Sequence, residues 1–261
     1  MHIKLNKLII FPFLLLLFKS SIVFCQIPME TIPARLQDAN SLEFKGAFEY
    51  KTSSEIKERS IPLEFTYGLT NRFELDFQAT VYTSISSIAE PYASGFGDLE
   101  VTLLSLLSKE HRKFPAIALG GEVKIPTAKN PLLGTQKFDY SAYIIASKKF
   151  GNLDTHINFE YTFVGQPTEM QLRNIYSFAI AGEYELSKKL ELVGELSANT
   201  SSFLKETDDG RLINPQVIPG ELAGLIGARY SLFEKLKLIS GLKYNNNKAF
   251  LIRTGIIYYF Q

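Results

Sequence analysis

The sequence predicts an all-β chain, a transmembrane antiparallel up-and-down β-barrel of about twelve strands. Three observations carry this. Apolar residues after position 40 recur with a period of two rather than 3.6, the links between the alternating stretches are short and long by turns, and the first residues have the make-up of a secretory signal.

The opening segment carries Lys4 and Lys7, then an apolar run from Leu8 to Phe18, then Ser20, Ser21 and a short stretch ending at Cys25, with no acidic residue. That order is the one a cleavable signal peptide over residues 1–25 requires. The run stops at Lys19, well short of the roughly twenty residues of a spanning helix. Cys25 is the only cysteine. Bulky Phe24 before it disfavours a lipid-modified cysteine, whereas Val23 and Cys25 suit an ordinary signal peptidase. With the cut there the mature chain has no thiol, which excludes a disulfide framework, a thiolate nucleophile and a cysteine zinc site. Losing Lys4, Lys7 and Lys19 changes the balance from 28 basic against 27 acidic residues to 25 against 27. No nucleic-acid partner is implied.

Residues 26–40 are expected as a periplasmic N-terminal lead, with a small plug inside the barrel as the alternative, and residues 41–261 as the barrel. The clearest strand is Leu153 to Phe163, where Leu153, Thr155, Ile157, Phe159, Tyr161 and Phe163 alternate with Asp154, His156, Asn158, Glu160 and Thr162. One face is apolar and the other polar. Leu42 to Tyr50 and Phe73 to Val81 repeat the pattern, and looser copies fall at about 60–69, 97–107, 115–125, 139–150, 174–186, 190–200, 220–232, 236–245 and 249–260. Each is near the nine to eleven residues that cross a bilayer at a tilt.

Short turns are expected at Thr70-Asn71, Lys109 to Lys113, Gly151-Asn152, Ser187 to Lys189 and Phe233 to Lys235. Longer links are expected at Lys51 to Glu58, Thr83 to Phe96, Pro126 to Lys137, Gly165 to Arg173 and Ser201 to Pro219. This places both ends of the mature chain in the periplasm and the long links outside. A soluble β-sandwich also alternates. Lipid is favoured by the signal, by the loop lengths, and by Tyr50, Tyr67, Tyr82, Phe150, Phe163 and Tyr230 gathered at strand ends, where aromatic girdles belong. The last strand ends Ile256-Ile257-Tyr258-Tyr259-Phe260-Gln261, close to the terminal aromatic strand that the barrel-assembly machinery takes up. Outer-membrane lipid and that machinery are therefore the expected partners.

If the apolar face meets lipid, the other face lines the lumen. The lumen-lining candidates are Glu74, Asp76, Glu122, Lys124, His156, Asn158, Glu160, Glu183, Glu195, Arg229, Lys243 and Arg253. Buried charges need partners or water, so the lumen should be partly wet and partly tied by ion pairs. Its acidic excess points to a preference for cations. Twelve strands fall between a filled interior and a wide channel.

Several stretches resemble a family of outer-membrane proteins named for the meta-pathway of phenol degradation and described as transporters. They are Gly95-Phe96-Gly97-Asp98-Leu99, Pro115 to Gly120 with Val123 to Thr127, Leu133-Gly134-Thr135 before Asp139, His156-Ile157-Asn158, and Leu192 to Leu196. The resemblance implies a barrel in the outer membrane and supplies no substrate. The bare residues suggest structure first: glycines let a loop enter a strand, and Pro126 ends one by withholding an amide.

Little points to catalysis or a cofactor. His111 sits in a charged turn. His156 shares a strand face with Asp154 and Asn158 and has no serine neighbour on that face, so a barrel hydrolase is not supported. No phosphate loop, dinucleotide fingerprint or paired metal spacing occurs, and Asp208-Asp209-Gly210 lacks the other ligands of a calcium loop. The expected function is a narrow channel or transporter for small solutes, with a closed-lumen surface binding or structural protein as the alternative.

Overall fold

The structure is a computed structural model and describes residues 29–87, 92–167, 172–202, 205–206, 212–213 and 219–260. The expected signal peptide with Cys25, and Asp208-Asp209-Gly210, lie outside the described residues, as do parts of three outer links.

Among the described residues fifteen strands follow in order: β1 (Leu42–Thr52), β2 (Ile56–Thr70), β3 (Phe73–Ser87), β4 (Ala93–Gly95), β5 (Leu99–Ser108), β6 (Ala116–Ile125), β7 (Asp139–Phe150), β8 (Leu153–Phe163), β9 (Ile175–Ser187), β10 (Leu190–Thr200), β11 (Lys205–Glu206), β12 (Leu212–Ile213), β13 (Pro219–Phe233), β14 (Leu236–Asn245) and β15 (Phe250–Phe260). Three are small: β4 zips onto the end of β3, and β11 pairs with β12 in the link after β10. The other twelve form one antiparallel meander. It closes where β1 pairs with β15 from Leu42↔Phe260 to Thr52↔Phe250. Closure leaves no sheet edge, as a strand structure in lipid requires.

The sidedness is that of a membrane barrel. Phe77 and Phe159 on the outer wall are 40% and 43% exposed, whereas Glu74 and Glu160 on the inner wall are 5% and 4% exposed. Two layers of sheet would reverse those values. Exposed aromatics gather in two belts. One, with Phe73, Phe114, Phe150, Phe233 and Phe260, rings the short-turn end; the other, with Phe138, Tyr140, Phe163, Tyr176, Tyr244 and Phe250, rings the long-link end. Within the second belt Tyr161 packs edge-on to Phe163 at 4.6 Å and against Tyr176 at 4.7 Å. Such rings sit at the two membrane interfaces.

The first outer link differs from expectation. Lys51 to Glu58 is not a loop: β1 and β2 continue to a tight turn at 53–55, closed by Ser53 N–H to the Ile56 carbonyl at 2.8 Å. β3 likewise runs on to Ser87. Above the hydrocarbon both faces of a strand are wet, so polar residues continue the ladder without the alternation that marks it in lipid. Pro62, which has no amide to give, sits at a register shift in the β2–β3 ladder.

The lead is also placed differently from the expected periplasmic segment. Asn40, at φ 65°, turns the chain back from β1, and its N–H reaches the Gly68 carbonyl at 2.7 Å. Gly68 must be glycine for this approach, since a Cβ there would stand 2.0 Å from the Asp38 carbonyl oxygen. From that hinge residues 37 to 29 run into the barrel.

Candidate functional site

The inner wall is a set of ion-pair groups. Lys45 on β1 binds Glu43 at 2.9 Å and Glu64 at 2.6 Å, beside Glu74 and Asp76 on β3. Around the ring, Tyr143 Oη lies 3.1 Å from Glu122 and 3.2 Å from Glu160, and each carboxylate also takes a threonine hydroxyl, Thr102 at 2.8 Å and Thr162 at 2.7 Å. Arg229 pairs with Glu183 and, at 3.5 Å, with Glu191. Lys243 binds Glu221 at 2.5 Å, and Arg253 donates through Nε to Glu49 at 2.6 Å. Pairing matters here because an unpartnered charge in such a wall costs several kcal/mol.

The lead completes this network from inside. Glu195 Oε2 accepts the Glu30 and Thr31 amides, each at 2.8 Å, and the Thr31 hydroxyl at 2.6 Å. In the amide orientation that matches donors with acceptors, Asn158 accepts Ile32 N–H at 2.6 Å and donates to the Ile32 carbonyl at 2.9 Å. Pro33 has no amide. Ala34 N–H donates to Ser147 Oγ at 2.7 Å, and Gln37 N–H donates to Glu74. Every amide from Glu30 to Ala34 is thus received by a wall side chain, as buried backbone requires. Charge pins both ends: Glu30 takes Lys243 at 2.8 Å, and Arg35 holds Asp154 and, at 2.7 Å, Glu110.

Apolar contact adds to this. Ile32 and Ala34 lie on a patch of Leu104, Leu106, Ala116, Ala118, Tyr143 and Ile145, and Met29 packs against Ala181, Val193 and Leu225. Burying Met29 and Ile32 contributes roughly 1.5–3 kcal/mol each. Beside the lead remains a cavity of about 230 Å³, lined by Arg35, Gln37, Glu43, Lys45, Glu74, Asp154, His156, Glu183 and Arg229 among others. That is room for a few waters, at about 30 Å³ each.

Glu110 belongs to a turn outside the span. Burial pushes its carboxyl up, but the Lys148 hydrogen bond, the Lys149 amide and the charges of Lys148 and Arg35 outweigh this and hold it below the usual value. Its clasp on Arg35 is therefore present at neutral pH and released only as pH falls through that lowered value.

His156 has a partner that same-strand reading missed. Ser147 faces it across the β7–β8 ladder, with Oγ 2.8 Å from Nδ1, while Nε2 lies 3.5 Å from Glu183 and 3.9 Å from Asp154. The Ser, His and carboxylate order resembles a nucleophile relay. Here Ser147 Oγ also accepts the Ala34 amide at 2.7 Å, so the pair is tied to the lead. Ala34 seals the hydroxyl.

Lys124 stands apart from the lead and anchors an outer link. It pairs with Asp98 at 3.8 Å and with Asp139, and donates to Thr135 at 3.3 Å. Asp98 accepts the Ala128 amide at 3.0 Å, and Thr127 donates to the Gly97 carbonyl at 2.9 Å. The scattered motif residues Gly97, Asp98, Lys124, Thr127, Gly134, Thr135 and Asp139 thus form one knot that ties link 126–138 to the rim. Gly134→Ala would place a Cβ 2.7 Å from the Asp98 carboxylate and 2.9 Å from Ala128. The expected loss, read by urea unfolding in vesicles, is about 1–3 kcal/mol.

Among the described residues no group is arranged to hold a metal ion. The twelve lumen candidates fall into the groups above: Glu74, Asn158 and Glu195 meet the lead backbone; Lys243 and Arg253 face Glu30; His156, Glu183 and Arg229 line the cavity. Glu122 and Glu160 meet at Tyr143, Lys124 holds the rim, and Asp76 lies buried opposite Thr66. Sequence reading missed Ser147, Tyr143, the apolar patch and the lead's own Glu30, Thr31 and Arg35.

A closed ring of twelve antiparallel strands, apolar outside and charged within, is an outer-membrane β-barrel. Residues 37–211 match the sequence profile of the family described as "Putative MetA-pathway of phenol degradation", and the chain belongs to that family. Its fold is similar to that of the COG4313 outer membrane channel from Pseudomonas putida F1, with TM-score 0.69, 14% identity, and 87% of this chain and 98% of that one covered. NanC porin is similar at TM-score 0.58, 12% identity and coverage of 82% and 98%. KdgM porin follows at 0.55, 12% identity and coverage of 83% and 99%. These likenesses are of fold. No curated protein matches the chain in sequence.

Proposed function

We propose that the chain is a narrow outer-membrane channel for small polar solutes, favouring cations over anions. The observation that carries this is the inner wall: carboxylates from nearly every strand, bridged by fewer Lys and Arg residues, in a barrel whose outer wall is apolar. A charged lining serves passage of hydrated solutes and costs stability otherwise. The similar solved barrels include a channel and two porins. Export through the signal peptide of residues 1–25 and hand-over of the Ile256–Phe260 strand to the barrel-assembly machinery belong to the same reading. So does the lack of a catalytic role, with the one Ser-His relay among the described residues sealed.

Planar bilayers under a KCl gradient test it. The expected reversal potential has the sign of cation selectivity, and Glu122→Gln with Glu160→Gln moves it toward zero. Anion selectivity would overturn the charge preference. One observation favours a second reading, that of a closed surface-binding or structural protein: the lead lies across the lumen. An assembled, heat-modifiable barrel that passes no current, and loses a bound partner when 201–218 is deleted, would establish that reading instead.

A further inference from the structure

The lead is held as a ligand is held. Its amides meet wall side chains, not a neighbouring strand, and those side chains come from β3 (Glu74), β7 (Ser147), β8 (Asn158) and β10 (Glu195). In the ring β3 and β10 stand six strands apart, so the segment crosses the bore from one side to the other. Thr31 and Ala34 are 0% exposed, so the segment is in close contact with the wall at both. From Glu30 to Ala34 the receiving groups follow an extended backbone, and the one position there without an acceptor is Pro33, which has no amide to offer.

We propose that the lumen wall is a binding site for an extended peptide strand, that residues 30–37 of the chain occupy it, and that their withdrawal about the Asp38–Ser41 hinge opens the passage. This rests on the channel reading above. Withdrawal is open to the segment because each of its bonds can be replaced by water, whereas the hinge keeps its backbone bonds to Gly68. The direction is fixed as well, since Arg35 is clasped at the short-turn mouth by Glu110 and the chain leaves the lumen there. Departure frees the Glu195 and Glu74 carboxylates to meet passing cations. It also bares the Leu104 and Ile145 patch to water, which draws the segment back. The two states are thereby balanced, as a gate requires.

The test joins the lead to the wall. Ala34→Cys and Ser147→Cys, in a Cys25→Ser background, put thiols on two residues held together by the Ala34 backbone N–H and the Ser147 hydroxyl, 2.7 Å apart. Refolded under oxidising conditions and checked by mass spectrometry, the bridged barrel should conduct poorly, and dithiothreitol should raise the conductance several-fold. Arg35→Glu, without the cysteines, should raise it too by repelling Glu110 and Asp154. Equal conductance before and after reduction, with Arg35→Glu unchanged, would overturn the gate. Failure of the bridge to form would overturn the seat itself. If neither the reduced barrel nor a chain lacking 29–37 conducts, it is the channel reading that falls.

Discussion

Arg253→Leu will lower the unfolding free energy of the barrel in lipid vesicles by about 3–5 kcal/mol, the cost of removing one partner from a buried ion pair. Arg253 is 0% exposed, the most buried charged side chain among the described residues. Its Nε donates to Glu49 at 2.6 Å, and its guanidinium approaches Glu30 of the lead at 3.9 Å. Leucine fills much of the volume and answers neither carboxylate. Glu49 would lose its cation and keep the Ser60 hydroxyl at 3.0 Å. Adding Glu49→Gln should recover part of the loss, because a neutral amide tolerates burial that a lone carboxylate does not. A change within about 0.5 kcal/mol, the range of ordinary surface substitutions, would mean that water reaches Arg253.

Phe159→Arg, at mid-height on the outer wall of β8, is expected to cost about 2–4 kcal/mol, whereas Leu153→Arg on the same face at the short-turn end should cost about 0–1 kcal/mol. Both side chains are exposed, at 43% and 38%, to whatever surrounds the barrel. In water the two substitutions would be alike. In lipid the first buries a cation at the bilayer centre, and the second lets it reach the headgroups. Unfolding by urea from vesicles gives both values, and equal costs would remove the bilayer from the account.

The strand ladder was legible because a half-buried strand has to alternate, and β8 does so for eleven residues. Alternation fails where its cause fails, as at Lys57 to Ser60, where β2 rises above the hydrocarbon and is polar on both faces. The lead's place in the lumen was legible only as the alternative to a periplasmic segment, for a different reason. Met29 to Gln37 has no period, and its partners are far along the chain, with Ser147 113 positions after Ala34. A trace of it was nonetheless present. In β5, Leu103 and Leu107 point outward while Leu104 and Leu106 are buried inside, and a lumen wall that is apolar on both faces has to be covered by something. The Ser147–His156 pair was also within reach. The two-residue turn at Gly151-Asn152 sets Phe150 against Leu153, and counting back along the hairpin brings Ser147 opposite His156. Reading along one strand for a serine looked in the wrong direction.

Spin labels at Phe159→Cys and at Glu160→Cys, compared in lipid vesicles, test the central claim most directly, since adjacent residues of one strand must face two different solvents. The account requires the label at 159 to be relaxed by molecular oxygen, which concentrates in hydrocarbon, and the label at 160 to be shielded from it. Efficient relaxation of the label at 159 by a water-soluble nickel chelate would contradict it.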